Sequence, residues 1–243
     1  AMPPCAVSST LALVVCLGWI SQAHAHYLWV AVEPQAGAHG TANVYFEEAP
    51  APGDGEYLDP VEQRGTTWVR TPDTQKPRPL DMKVAEKPGK KWLAAPLSEA
   101  APRSIDSYAK WGVYRYKDTD VLLHYYARFL DVDDTKELQS LARAEQLKLD
   151  IVPERTADGL SLTLLWQGEP AADRTFYVRG PGGLRETLKT DAAGQVHVAA
   201  KEPGRYLFRS GVDVDEPGQD DGRDYALIRH QATLVLDLPL EGK

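Results

Sequence analysis

After Cys16 the chain of 243 residues contains no cysteine; Cys5 and Cys16 are the only two it has. The body that follows has neither disulfides nor a thiolate metal site, so its stability rests on packing. Freedom from thiols is compatible with export into an oxidising compartment. No lysine or arginine precedes Arg64, and the chain as a whole has no net positive charge, with 27 basic against 35 acidic residues and a net charge of -8. That balance excludes a typical nucleic-acid binder, which needs a basic face to displace phosphate counterions. Catalytic signatures are missing as well. The sequence holds no G-x-S-x-G elbow, no H-E-x-x-H, no phosphate-binding P-loop and no thiol nucleophile in its body. The reading is therefore a binding module and not an enzyme.

Long hydrophobic runs are scarce too. The longest, LALVVCLGWI at 11–20, is too short to span a membrane and suits the core of a secretory leader. Ala23 and Ala25 form the small-residue pair of a cleavage site, which predicts a signal peptide over 1–25 and a mature start at His26. Ser21 with Ala23 is the alternative, leaving His24-Ala25-His26 at the start. A lipoprotein site at Cys16 fails because Val15 stands where a small residue is required. The expected location is periplasmic or extracellular, with no transmembrane helix in the mature chain.

What the sequence does have is alternation. Short runs of alternating apolar and polar residues, broken by Pro and Gly, predict antiparallel strands. They fall at 26–33, 41–47, 66–70, 90–95, 107–116 and 121–129, each with one face for a core and one for water. The segment 131–146 departs from this rhythm. It is charged, carries Leu138 and Leu141 at helical spacing, and offers Asp134 and Glu137 as a capping box. About seven further strands follow, divided by turns such as Asp191-Ala192-Ala193-Gly194 and Glu202-Pro203-Gly204. The prediction is an all-β protein. Two antiparallel β-sandwich domains, 26–130 and 147–243, are joined by a short helical linker over 131–146.

Gly168-Glu169-Pro170 after a hydrophobic strand, Thr190-Asp191-Ala192-Ala193-Gly194 and Pro203-Gly204-Arg205-Tyr206 resemble the transthyretin-like, carboxypeptidase-regulatory type of immunoglobulin-like sandwich. Together with HYLWV, VYFEEAP, SYAKWGVY, LDIVP and HQATLVLDL, they make the mature chain similar to a NikM-like family of secreted bacterial proteins assigned to periplasmic nickel or cobalt uptake. The resemblance implies a protein that handles divalent metal ions. Any role in transport requires a separate membrane partner, since no helix here couples binding to translocation.

Histidines are the residues that could carry such chemistry. His26, if exposed as the N-terminus, can chelate nickel, cobalt or copper through its α-amino group and Nδ1, and a second histidine would complete a brace. With the earlier cut, His26 in third position can wrap Cu(II) or Ni(II) in a square plane. Otherwise it simply begins a strand. His124 shares a face with Leu122, Tyr126 and Arg128, turned to solvent or to an interdomain cleft. His230 alternates with Ile228, Ala232, Leu234 and Leu236, so it is either a satisfied core histidine or a ligand. His39, in the turn Gly37-Ala38-His39-Gly40, approaches the N-terminus if the first two strands form a hairpin. Glu47 and Glu48 could add carboxylate oxygen. The candidate metal set is thus His26, His124, His230, His39 and Glu48, while His197 reads as surface.

Two other features have plainer readings. The acidic stretch from Asp213 to Asp224 does not match the ligand ladder of a calcium loop and reads as a solvated hairpin. The aromatic residues Tyr27, Trp29, Tyr45, Phe46, Trp68, Trp92, Trp111, Tyr114 and Tyr116 crowd the N-terminal half. Core packing explains most of them, with a carbohydrate-stacking surface as the alternative. Two further functions fit the same sequence: a copper monooxygenase built on a histidine brace at His26, and a non-catalytic adhesion or scaffold module.

Overall fold

Alternating residues pair into strands because one face then has apolar surface to bury. The computed structural model, which describes residues 26–74 and 76–240, follows that rule through most of the chain. The expected leader over 1–25, with its cysteines, His24 and both cleavage positions, lies outside the described residues.

In chain order the first half forms β1 (Tyr27–Glu33), β2 (Thr41–Glu47), helix α1 (Asp59–Arg64), β3 (Gly65–Arg70), β4 (Arg78–Pro79), β5 (Lys83–Lys87), β6 (Lys90–Pro96), β7 (Arg103–Tyr116) and β8 (Thr119–Asp131). Helix α2 (Thr135–Leu141) comes next, then β9 (Leu149–Thr156), β10 (Gly159–Trp166), β11 (Glu169–Pro170), β12 (Thr175–Arg179), β13 (Arg185–Lys189) and β14 (Gln195–Val198). The chain continues through β15 (Gly204–Val214), β16 (Gly218–Asp220), β17 (Arg223–Tyr225) and β18 (Leu227–Leu238). The protein is all-β, as its patterning predicts.

An eight-stranded sheet in the order β13-β12-β15-β18-β8-β7-β3-β4 forms the central layer. A four-stranded sheet, β1-β2-β6-β5, covers one of its faces, and the sheet built around β10 from β9, β11 and β14 covers the other. Strand β8 explains how one layer serves two cores. Its Val121, Leu123, Tyr125, Ala127 and Phe129 enter the core under β1 and β2, while Tyr126 and Leu130 enter the core under β9 and β10. Strand β18 divides in the same way, with Ala232, Leu234 and Leu236 on one side and Val235 on the other. The expectation that each of the first-half strands keeps a face in water is therefore wrong for β8. Its polar-looking positions are inward-facing tyrosine, histidine and arginine.

The β8 and β18 strands lie parallel, with 121–130 in register against 227–236. This pair places strands from 26–130 and from 147–243 in one sheet.

Helix α2 falls within the charged segment 131–146 and is held at both ends. Asp134 caps it, accepting from the amides of Lys136 at 2.8 Å and Glu137 at 2.9 Å. Glu137 reaches back to the amide of Asp133 at 2.8 Å, one residue earlier than a capping box predicts. Leu138 and Leu141 enter the core beneath β9. The carbonyls of Leu141 and Ala142 meet Arg128, which is only 1% exposed. Arg128 also donates to Asp106 on β7 at 3.0 Å, to Asp150 on β9 at 2.9 Å and to Ser104 at 3.2 Å. Burial alone would lower its pKa, but Asp150 and Asp106 outweigh burial and hold it above the ordinary value.

Two local devices shape the C-terminal strands. Tyr206 donates its hydroxyl to the carbonyl of Glu202 at 2.9 Å, tying the start of β15 to the chain before it. The turn before β14 needs Gly194, whose φ is +69° and whose added Cβ would lie 2.9 Å from the Leu164 carbonyl.

Candidate functional site

Direct cross-strand pairing aligns Lys110 on β7, His124 on β8, His230 on β18 and Val212 on β15 in one row. The adjacent row on the same face contains Tyr108, Tyr126 and Ala232. Because side chains two apart on a strand share a face, each histidine meets a tyrosine from the adjacent row. Tyr108 Oη lies 2.8 Å from His124 Nδ1, and Tyr126 Oη lies 3.0 Å from His230 Nδ1. The two imidazoles stack on each other with centroids 4.9 Å apart and planes at 24°. Trp166, at the end of β10, closes over His230 at 4.3 Å between centroids.

This environment keeps both rings neutral. Burial lowers the His124 pKa to about 4, with Lys148 and Lys110 adding to the depression and Asp220 opposing it. Burial lowers His230 further, to about 3, reinforced by His124 and Lys148 and opposed by Asp213. Tyr126 is pushed above the ordinary phenol range by burial and by Tyr108. The hydrogen bonds occupy Nδ1 of each ring, and among the described residues neither Nε2 has a protein partner. A neutral imidazole oriented through Nδ1 by an oxygen is the form in which histidine ligates metal through Nε2.

The acidic stretch lies beside this site and forms the largely exposed hairpin expected, anchored at Asp220. Strands β16 and β17 pair, and the Asp220 side chain is 14% exposed. Asp220 accepts from Lys110 at 2.5 Å and faces Arg64 at 3.9 Å, while Arg64 also binds Asp221 at 2.9 Å.

His26 occupies a different place. Its ring packs edge-on to Tyr57 at 4.8 Å and stacks with Phe46 at 6.0 Å, and its Nε2 lies 3.8 Å from Glu47. Burial raises the Glu47 pKa, and the neighbouring His26 works against that rise. Among the described residues no second histidine ring packs against His26. Strands β1 and β2 do form a hairpin, pairing Tyr27 with Glu47 at one end and Glu33 with Thr41 at the other. His39 sits in the turn beyond Glu33, so the length of the seven-residue strand β1 separates it from His26. Glu48 lines a cleft with Tyr27 and Trp29.

The five candidate residues thus divide. His124 and His230 meet, His26 joins Glu47, and His39 and Glu48 stand apart from the histidine pair. Among the described residues there is no group of three or more His, Cys, Asp or Glu side chains able to hold a metal ion. No known family model matches this chain, and no curated protein matches it. None of the helices among the described residues is long and apolar enough to cross a membrane, which says nothing of a β-barrel.

Tyr108 and Trp166 complete the site and escaped the sequence reading. Tyr126 was legible from its spacing to His124. The partnership of Tyr126 with His230 spans 104 residues and has no local signal.

Proposed function

We propose that the protein is an exported, periplasmic divalent-metal-binding protein, without catalytic activity of its own, and that His124 and His230 supply its two ligand atoms. The observation that carries this reading is the stacked pair of neutral imidazoles, each oriented at Nδ1 by a tyrosine hydroxyl. Imidazole nitrogen suits late first-row ions such as nickel, cobalt and copper. Two protein ligands leave the remaining coordination positions to water or to a donor from a partner. An open coordination sphere suits a carrier that passes its ion on, and a separate membrane partner would then move the ion across the bilayer. The resemblance to proteins of nickel and cobalt uptake points the same way.

Calorimetric titration with Ni(II), Co(II) and Cu(II) tests the proposal. Binding is expected in the parent protein and should weaken at least tenfold in both His124→Gln and His230→Gln. A His26→Gln control should keep the parent affinity. Absence of binding, or loss in the His26→Gln variant alone, overturns the assignment to the β8–β18 pair.

A further inference from the structure

Most arginines in the sheets of this acidic chain sit against a carboxylate. Arg205 pairs with Asp237, Arg229 with Asp213 and Arg103 with Asp131, each at 2.8 Å or less. Three arginines on one face of the central sheet do not. Arg179 on β12 lies directly opposite Arg185 on β13, and Arg209 on β15 lies directly opposite Tyr177. No ion pair or hydrogen bond joins the side chains of these three to any other described residue. Like charges directly opposite each other across two strands destabilise a sheet. In a chain of net charge -8 with 35 carboxylate residues, counter-charges were available and are not used here.

The neighbouring side chains turn this face into a cleft. Strand β1 is the edge of its own sheet. Between it and the adjoining faces of β12 and β15 is a cavity of about 190 Å³, whose lining includes Tyr27, Trp29, Glu48, Tyr177, Arg179 and Arg209. The Arg209 guanidinium is held between two rings, 4.3 Å from the centroid of Tyr27 and 4.0 Å from that of Tyr177. Stacking fixes the plane of the fork while leaving its five N–H groups to a ligand. Partial burial, which disfavours the Arg209 charge, strengthens the cation's attraction for an entering anion.

We infer that this cleft binds a carboxylated sugar, a uronic acid unit of an acidic saccharide. Arg209 and Arg179 would take the planar carboxylate, for which a guanidinium fork is the complementary shape. The ring of Tyr177, 37% exposed beside them, offers a surface to the apolar C–H face of a pyranose. The site is separate from the histidine pair, which lies on the opposite face of the central sheet, so the two readings stand or fall independently.

Titration of the full chain with trigalacturonate, followed by tryptophan fluorescence, tests this inference, with maltotriose and inorganic phosphate as comparison ligands. Saturable binding of the uronate is expected, weakened at least tenfold in Arg209→Gln and in the exposed Arg179→Gln, with no comparable response to maltotriose. Arg179→Gln carries the test by itself if Arg209→Gln does not fold. No uronate binding, equal binding of maltotriose, or an unchanged affinity in Arg179→Gln overturns the site. Phosphate binding as tight as the uronate overturns the carboxylated-sugar assignment.

Discussion

Replacing Arg128 with methionine keeps the bulk of the side chain and removes a guanidinium whose five N–H groups all have acceptors. Those acceptors are Asp106, Asp150, Ser104 and the carbonyls of Leu141 and Ala142. The substitution leaves Asp106 and Asp150, 0% and 2% exposed, without their counter-charge in the interior. Removing one partner from a buried ion pair costs about 3–5 kcal/mol. Some carboxylate interactions survive, since Asp106 still accepts from Gln146 and Asp150 from the Ala144 amide. Even so, the lower end of that range corresponds to roughly 6–12 °C in thermal midpoint for a chain of this size. Urea unfolding followed by tryptophan fluorescence measures the loss directly. The triple variant Arg128→Met, Asp106→Asn, Asp150→Asn should be more stable than Arg128→Met alone, because the stranded charges are gone. A loss below about 1 kcal/mol in the single variant would refute the reasoning, for it would mean that the carboxylates reach solvent or another cation.

Other consequences can be measured on the same protein. Because His124 and His230 have folded-state pKa values of about 4 and about 3, the unfolded chain binds their protons first as pH falls. Their contribution is fully present above pH 6.5 and is lost progressively towards pH 4 and 3, at about 1.4 kcal/mol per unit of depression before screening by solvent. Urea midpoints between pH 7.5 and 4.5 should fall, and more steeply in the parent than in His124→Gln/His230→Gln; equal slopes would exclude these rings as the cause. Tyr206→Phe removes the hydroxyl bond to Glu202 and should cost about 1 kcal/mol in urea unfolding with no change in the far-ultraviolet spectrum. Gly194→Ala forces a Cβ towards the Leu164 carbonyl at a left-handed φ, and should lower stability by roughly 1 kcal/mol or more, read as a shift in thermal midpoint.

The sequence by itself determined the β character of this protein, the places where its strands turn, and the helix at Leu138 and Leu141. Alternation, Pro and Gly act over a few residues, and that range suffices for these features. It also put His124 with Tyr126, and His230 with Ala232, on common faces, because a strand repeats every second residue. Only the tertiary structure decided which strands became neighbours. The parallel pairing of β8 with β18 brings His124 against His230, covers both faces of the two strands, and turns positions that read as half-polar into interior ones. Arg128 is the clearest case, since its five acceptors come from β7, the end of α2 and β9. Pairing between distant strands depends on which apolar faces find each other in the collapsed chain, and no local pattern encodes that choice.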